Sequence, residues 1–231
     1  MNLSDSIKYY PLGDHAVVLC FGDVISKEVN NRIRNVAACM DNMNTLGIIE
    51  YVPAYTTITI YYDPLTIGYE AVLIVIQHLL ENIPSCLEQQ SLEKIIPVFY
   101  NGPDLADVAR YTGLSQEQVI RIHSESEYLV YMIGFAPGFP YLGGMDKRIA
   151  APRKEVPRLK IEAGSVGIAG EQTGVYPMET PGGWQIIGQT PLQLFNMNRD
   201  KPSFLGVGDR VRFEPIGYDE FLHIRKIENG G

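Results

Sequence analysis

The apolar positions in the first hundred residues alternate between the strand period and the helix period. Residues 16–21 form an unbroken apolar run of strand length, and further strands are predicted at residues 48–52, 55–62 and 94–99. Two stripes at helical spacing lie between these strands. One follows Ser26, which can cap a helix, and the other lies between residues 72 and 83. The first stripe consists of Val29, Ile33, Val36 and Met40.

These elements predict the order βαββαβ, which is typical of a ferredoxin-like domain. We place this small α/β domain at residues 1–90 and a second domain at residues 91–231. One alternative stays open at the boundary. The extended segment at residues 94–99 either completes the first sheet or belongs to the second domain.

Residues 101–127 predict two short helices. Pro103 suits the first turn of one helix, Gly113 suits its C-terminal cap, and Ser115 with Gln118 forms a capping box for the next. The rhythm of this stretch also resembles a DNA-binding helix-turn-helix. The chain has a formal charge of −8, however, and contacts to DNA phosphates require cations. We therefore expect a packed helical hairpin and no nucleic-acid partner.

The pattern becomes that of a β protein from residue 131 onward. Residues 131–191 contain 11 of the 22 glycines and 7 of the 15 prolines, and short apolar segments lie between these breakers. Strands are predicted at residues 131–135, 165–169, 183–187 and 210–215. Such spacing is typical of a small barrel or sandwich. The chain as a whole is therefore predicted to be an α+β protein.

Composition narrows the class of protein further. The longest aliphatic run covers residues 71–76, whereas a membrane span needs about 20 apolar residues. The first residues lack the basic and then apolar layout of a signal peptide. The three cysteines, Cys20, Cys39 and Cys86, are far apart in the sequence. These features predict a cytoplasmic protein with reduced thiols, no membrane partner and no metal site.

The positive charge of the β-rich stretch is concentrated in one segment. All six basic side chains of residues 131–191 fall between Lys147 and Lys160. Two interpretations fit this clustering: a solvated loop, or a local site for a carboxylate or phosphate on an otherwise acidic chain.

Widely shared catalytic motifs are missing from the sequence. It contains no phosphate-binding G-x-x-x-x-G-K-[ST], no G-x-G-x-x-G and no G-x-S-x-G, and its four histidines show no H-x-x-x-H spacing. We therefore assign no catalytic residue from the sequence.

Several longer segments resemble a known family. They are GFAPGFPYLG at residues 134–143, PRKEVPR at 152–158, GSVGIAG at 164–170, YP at 176–177, PGGW at 181–184 and LGDHA at 12–16. Together they look like the family of 5-oxoprolinase B subunits, which overlaps the kinase-inhibitor KipI group and the allophanate hydrolase subunit 1 domain of urea carboxylases. The resemblance covers nearly the whole chain. It implies a small α/β domain followed by a cyclophilin-like β-barrel.

The resemblance also implies an activity. Members similar to the 5-oxoprolinase B subunit act with subunits A and C to hydrolyse 5-oxo-L-proline to L-glutamate. The reaction consumes ATP, with Mg as its counter-ion, at a site shared with a partner subunit. The chain is then expected to be inactive alone. One alternative is a KipI-like inhibitor of a sensor histidine kinase, and another is a part of a urea carboxylase.

The same segments supply candidate residues for binding the substrate or the nucleotide. Arg158 is suited to pair with a carboxylate or phosphate through two hydrogen bonds. Phe135 and Phe139 either wall an apolar pocket for a small ring or belong to the barrel core. The full candidate set is Phe135, Pro137, Gly138, Phe139, Arg158, Gly164, Ser165, Gly167, Glu179, Thr180, Gly182, Gly183 and Trp184.

Overall fold

A computed structural model describes residues 7–41, 45–81 and 91–230, which fall into two compact units, Met1–Gln90 and Ser91–Gly231. Both units combine helices with antiparallel strands, so the α+β prediction is confirmed. Cys86 and the predicted end of the second helix at Ile83 lie outside the described residues. In the part of the chain that the structure describes, no helix is both long and apolar enough to cross a membrane.

The first unit is a four-stranded antiparallel sheet with order β1-β2-β4-β3 and two helices. One face of the sheet and the apolar faces of both helices share a single buried core, which includes Leu19, Ile33, Ile60 and Ile76. The helical stripes predicted from the sequence therefore point into the core. The elements are β1 (Lys8–Leu12), β2 (Ala16–Cys20), α1 (Lys27–Asp41), β3 (Ile48–Pro53), β4 (Thr57–Tyr62) and α2 (Tyr69–Glu81).

The predicted βαββαβ order is wrong at both ends of this sheet. Strand β1, which the sequence did not predict, pairs with β2 through a tight turn at Gly13, where φ is 65°. It fills the edge beside β2. The extended segment Glu93–Val98 instead pairs in parallel with Arg210–Pro215 in the second unit, as the open alternative allowed.

The second unit contains a seven-stranded sheet with order β12-β9-β10-β7-β6-β13-β5 and a separate two-stranded ribbon of β8 and β11. Helices α3 and α4 pack together, and α4 also contacts β13. The elements are β5 (Glu93–Val98), α3 (Leu105–Thr112), α4 (Gln116–Glu125), β6 (Tyr128–Ile133), β7 (Pro140–Gly143), β8 (Arg158–Ile161), β9 (Ser165–Ala169), β10 (Gln172–Val175), β11 (Thr180–Gly182), β12 (Gln185–Gln189), β13 (Arg210–Pro215) and α5 (Tyr218–Gly230).

The seven-stranded sheet is nearly closed into a barrel, because its two outer strands meet. Phe99, directly after β5, and Gln189 of β12 exchange two backbone hydrogen bonds of 2.9 Å. The chain then continues along β12, where Gly102 donates to Ile187 and Asp104 donates to Ile186. We call the pairing of residues 99–104 with residues 186–189 the closure seam.

The helical hairpin has the caps that the sequence predicts. Gly113 ends α3 in the left-handed region with φ of 71°, and Ser115 and Gln118 form the capping box of α4. Helix α4 buries Val119 and His123 and contacts α3 and β13, so the helical hairpin packs against the rest of the second unit, as expected. Helix α5 was not predicted.

The His123 side chain is completely buried, and both of its ring nitrogens form hydrogen bonds to neighbouring side chains. Its Nδ1 lies 2.7 Å from the Tyr100 hydroxyl and its Nε2 lies 2.9 Å from Oγ1 of Thr173. Because Thr173 donates its own proton to the Gly167 carbonyl, Nε2 must donate to Thr173, and Nδ1 accepts from Tyr100. Burial lowers the pKa of His123 to about 3, so the imidazole is neutral in the folded protein.

We expect His123 to make the protein sensitive to acid. In the unfolded chain its imidazole gains a proton near pH 6.5, whereas the folded chain binds none until about pH 3. The stabilisation is therefore complete above pH 6.5, and about 1.4 kcal/mol is lost per pH unit as the pH falls below that value. His123→Gln keeps one donor and one acceptor but does not titrate. Its unfolding free energy, measured in urea from pH 7 to pH 4.5, should fall less steeply than that of the wild type.

The exposed His223→Gln change is the control for this experiment, and its pH dependence should follow the wild type. Parallel curves for wild type and His123→Gln would contradict the assignment of a neutral, buried imidazole.

Candidate functional site

A pocket of about 300 Å³ opens beside the closure seam. Residues 101–103 and the end of β12 form one wall, and β8 with the start of β9 forms the other. Glycines lie where the two segments of the closure seam approach each other most closely. A Cβ at position 102 would collide with the Ile186 carbonyl, and one at Gly188 would lie 2.7 Å from Val98. We call this space the seam pocket.

A buried carboxylate, Asp104, lies beside the seam pocket and receives four hydrogen bonds. Arg158 donates to it through both terminal nitrogens at 2.7 Å, Lys154 donates at 2.8 Å, and the Ile186 N–H donates at 2.7 Å. Burial by itself would raise the pKa of Asp104. The hydrogen bonds from Arg158, Lys154 and Ile186 outweigh this effect and hold the pKa below its usual value.

Two cationic side chains line the seam pocket, and their partners differ. Arg158 uses two of its five N–H groups on Asp104, which leaves three for other acceptors. Lys160 forms a 2.5 Å ion pair with Glu179, in which both side chains are exposed. Asn101, Ser165 and the carboxylate Glu162 complete the polar lining.

A second pocket of about 560 Å³ lies next to the first and shares Gln189 with it. Gly164 and Glu179 line this second pocket together with apolar residues that include Met178 and Phe195. Of the sequence candidates, the structure therefore places Arg158 and Ser165 in the seam pocket and Gly164 and Glu179 in its neighbour.

The aromatic candidates lie elsewhere. Phe139 and Trp184 are buried in a cluster with Tyr176, with ring centroids 5.3–5.5 Å from Phe139, so they belong to the core. Phe135 is 65% exposed and has a φ of 70°, which is unusual for a bulky residue. Phe135, Phe139 and the turn at Pro137 and Gly138 line neither of these two pockets.

The remaining candidates support the ribbon that carries Arg158. Thr180 pairs with Ile161, and Gly182 pairs with Arg158, between β11 and β8. A Cβ at Gly182 would lie 2.5 Å from the Tyr176 hydroxyl. Gly183 follows at the end of the ribbon, and its carbonyl accepts from the Lys154 N–H.

Gly167 lies on β9 in the barrel wall. A Cβ there would lie 3.2 Å from Trp184. Gly167 and Gly182 therefore allow close packing, and neither they nor Gly183 line either pocket.

Sequence reasoning missed Asp104, and from the basic segment it selected Arg158 as a candidate but not Lys154 or Lys160. An acidic residue at the start of a helix is typical of a solvated first turn, so nothing local marked Asp104 as buried. The available signal was the clustering of six cations in a short segment, which implied an anion. The anion that pairs with two of these cations is the protein's own Asp104. It precedes Lys154 by 50 residues and Arg158 by 54 residues in the sequence.

Comparisons with known proteins place these residues in a family context. A family model for the carboxyltransferase domain, subdomain C and D, matches residues 7–205, a range that includes both pockets except for Arg225. The B subunit of 5-oxoprolinase from Bacillus subtilis is 46% identical, over 94% of this chain and 96% of that protein.

Two further relatives are larger proteins. The crystal structure of TTHA0988 superposes with a TM-score of 0.79 at 35% identity over 87% of this chain, which spans 39% of that longer chain. The urea amidolyase of Lachancea kluyveri is 23% identical over 99% of this chain, which corresponds to 14% of that protein.

We expect Asp104 to be essential for the stability of the second unit. Asp104→Ala removes the acceptor of four hydrogen bonds and leaves two half-buried cations without their partner, at a cost of about 3 kcal/mol. Glu171→Ala is the control, because it breaks an exposed ion pair with Lys147 and should cost less than about 1 kcal/mol. Urea denaturation of both variants measures the difference, and equal small losses would contradict a structural role for Asp104.

Proposed function

This chain belongs to the family of 5-oxoprolinase B subunits, and we propose that it is the B subunit of an ATP-dependent 5-oxoprolinase. In this proposal it acts with subunits A and C to hydrolyse 5-oxo-L-proline to L-glutamate. The observation that carries the proposal is the 46% identity to the Bacillus subtilis B subunit over nearly the full length of both proteins. The seam pocket supplies the chemistry that supports it.

The size and charge of the seam pocket suit a small carboxylate. Ligand pockets usually measure about 300–1,000 Å³, and the seam pocket lies at the lower limit. 5-Oxo-L-proline is a five-membered lactam with one carboxylate, so it needs little room, one cationic partner and a few neutral hydrogen-bonding groups. Arg158 and Lys160 supply cations, while Asn101 and Ser165 supply neutral groups for the lactam amide.

Arg158 is oriented before any ligand arrives. Asp104 holds the end of its guanidinium, so the three remaining N–H groups have fixed directions. A ligand carboxylate that binds these groups loses less conformational entropy than one that binds a freely rotating side chain. We assign Arg158 to substrate binding and Asp104 to its positioning.

ATP is the proposed co-substrate. Transfer of its γ-phosphoryl group to the lactam carbonyl oxygen releases ADP and activates the carbonyl carbon. Water then adds to that carbon, the C–N bond breaks to open the ring, and a second water hydrolyses the acyl phosphate to glutamate and phosphate. The second pocket is larger than the seam pocket and adjoins it, and its lining mixes apolar residues with polar ones that include Gln193, Asn196 and Arg225. Within residues 7–41, 45–81 and 91–230, no three His, Cys, Asp or Glu side chains cluster as metal ligands would. We therefore propose that Mg arrives with the nucleotide and is held partly by the partner subunit.

The seam pocket is incomplete as a catalytic site, which supports the need for other subunits. Its lining includes one carboxylate, Glu162, and neither histidine nor cysteine. Ring opening requires a general base and groups that stabilise the developing oxyanion. We infer that the partner subunits provide them, so the isolated chain is inactive.

Three finer inferences accompany this function. We infer that residues 1–90 form a variant ferredoxin-like domain, because β1 occupies the edge that the last ferredoxin strand would fill. We infer that residues 91–231 form a cyclophilin-like barrel, because seven strands close at a seam. The use of ATP and the free thiols of Cys20 and Cys39 support a cytoplasmic location.

The two alternatives have less support. The urea amidolyase relative shares 23% identity, and this chain corresponds to only 14% of it, so most of that protein's machinery has no counterpart here. Inhibition of a sensor histidine kinase is not favoured by any contact or pocket described above.

Reconstitution tests the proposed function. We expect no glutamate from 5-oxo-L-proline and ATP with the purified chain alone, and ATP-dependent glutamate release after addition of the cognate A and C subunits. The B and C subunits should also co-elute from gel filtration. Turnover by the single chain would contradict the shared site. Failure of every subunit combination to form glutamate would overturn the proposed function.

Arg158→Lys tests the role of the oriented guanidinium. The lysine keeps a cation for Asp104 but loses the fork that binds a second carboxylate. We expect kcat/KM of the reconstituted enzyme to fall by roughly 10- to 100-fold, the range that corresponds to losing a charged hydrogen bond. Lys147→Ala is the control: Lys147 lies outside both pockets, so its loss should change kcat/KM by less than about threefold. Thermal unfolding must first show that Arg158→Lys is folded, and a folded variant of normal activity would refute the assignment.

A further inference from the structure

The two cations of the seam pocket differ in how firmly the protein holds them. The partner of Arg158 is Asp104, whose side chain is 2% exposed and accepts four hydrogen bonds. The partner of Lys160 is Glu179, and the side chains of that pair are 63% and 55% exposed. One ion pair is therefore buried, whereas the other is in contact with water.

This difference decides which cation a ligand can recruit. Removing one partner from a buried ion pair is strongly unfavourable, because the other charge stays desolvated. An exposed pair contributes little, because water competes for both charges. A ligand anion can therefore displace Glu179 from Lys160 at little cost, whereas displacing Asp104 from Arg158 would oppose binding and folding together.

We propose that Lys160 is the exchangeable anion-binding group of the seam pocket and that Glu179 is its internal competitor. In the free chain Glu179 neutralises Lys160. A small carboxylate that enters the pocket takes the place of Glu179 on the Lys160 ammonium, while Arg158 stays anchored on Asp104 and offers its remaining N–H groups. The identity of this carboxylate as 5-oxo-L-proline rests on the proposed function.

The charges around Lys160 are consistent with such an exchange. The hydrogen bond and the charge of Glu179, together with the charge of Glu162, raise the pKa of Lys160, so the ammonium stays protonated. Glu162 also lines the seam pocket, whereas Glu179 lines the neighbouring one. The seam pocket itself is thus lined by two cations and one carboxylate, and Glu179 reaches Lys160 from outside it.

Two substitutions should change affinity in opposite directions. Lys160→Gln removes the anion-binding charge and should weaken binding of 5-oxo-L-proline by about 10-fold or more. Glu179→Gln removes the competitor and should tighten binding by up to about fivefold. A residue that merely belonged to a solvated loop would produce neither effect, and a direct ligand contact at Glu179 would produce a loss instead of a gain.

The experiment is calorimetric titration of the full chain, alone and in complex with its partner subunits. The probes are 5-oxo-L-proline, 2-pyrrolidinone, which is the same ring without the carboxylate, and inorganic phosphate. The matched controls are Lys147→Gln and Glu171→Gln, because these residues form another exposed ion pair outside both pockets. The controls should leave every affinity unchanged, and 2-pyrrolidinone should not distinguish any of the variants.

The possible results separate the inference from the proposed function. Opposite effects of Lys160→Gln and Glu179→Gln on 5-oxo-L-proline support the inference. The same opposite effects on phosphate, with no binding of 5-oxo-L-proline, support the anion site but place the lactam elsewhere. The inference is overturned by equal affinities across all variants, by losses in both variants, or by the absence of binding of either anion. Glutamate release by the reconstituted enzyme reports on the function independently.

Discussion

The second unit depends on the burial of one carboxylate at the point where its barrel closes. A desolvated charge is unfavourable by several kcal/mol unless it is fully hydrogen-bonded. Asp104 therefore needs all four of its donors, and these come from segments far apart in the sequence: Ile186 on β12, and Lys154 and Arg158 around the start of β8. Satisfying this carboxylate brings the start of α3, the last strand of the barrel and the ribbon together.

The pocket follows from the same constraint. Gly102 and Gly188 have no side chains, so the backbones of the closure seam approach each other closely, and both glycines line the space beside it. The ribbon is held across from the seam by the Arg158–Asp104 contact, which gives the pocket its opposite wall. The seam pocket thus results from barrel closure. Arg158, one of its two cations, stabilises the fold through Asp104 whether or not a ligand is bound.

The sequence predicted the features that local periodicity and capping control. The apolar stripes of α1 and α2, the alternation in β4 and the caps at Gly113 and Ser115 are confirmed, because each depends on residues close in the chain. The sequence did not predict in the same way that β1, and not the Glu93–Val98 strand, occupies the edge of the first sheet. The Glu93–Val98 strand pairs with residues 117 positions away, which leaves no local signal. Strand β1 pairs locally with β2, but four of its five residues are exposed, so it lacks the apolar pattern that predicts a strand.

The same distinction applies to the candidate site. Two of the clustered cations, Lys154 and Arg158, pair with the protein's own Asp104, so a site for an external anion stays a prediction. Arg158 and Ser165 do line a pocket. The aromatic residues of the segments at 134–143 and 181–184 line neither pocket, because Phe139 and Trp184 are buried in a core cluster and Phe135 is exposed on a strained loop. A motif that identifies a family is constrained by folding as well as by chemistry, and only the three-dimensional arrangement separates the two.

Electrostatics gives the exchangeable lysine its significance. The chain has a formal charge of −8, which disfavours the approach of any small anion at long range. At physiological ionic strength that repulsion is screened beyond about 8 Å, so binding is decided by the charges inside that distance. There the number of cations matters less than how strongly each is already paired. A buried pair gives rigidity, and an exposed pair gives a charge that can change partners. The seam pocket has one of each, which lets it keep its shape while its ligand exchanges.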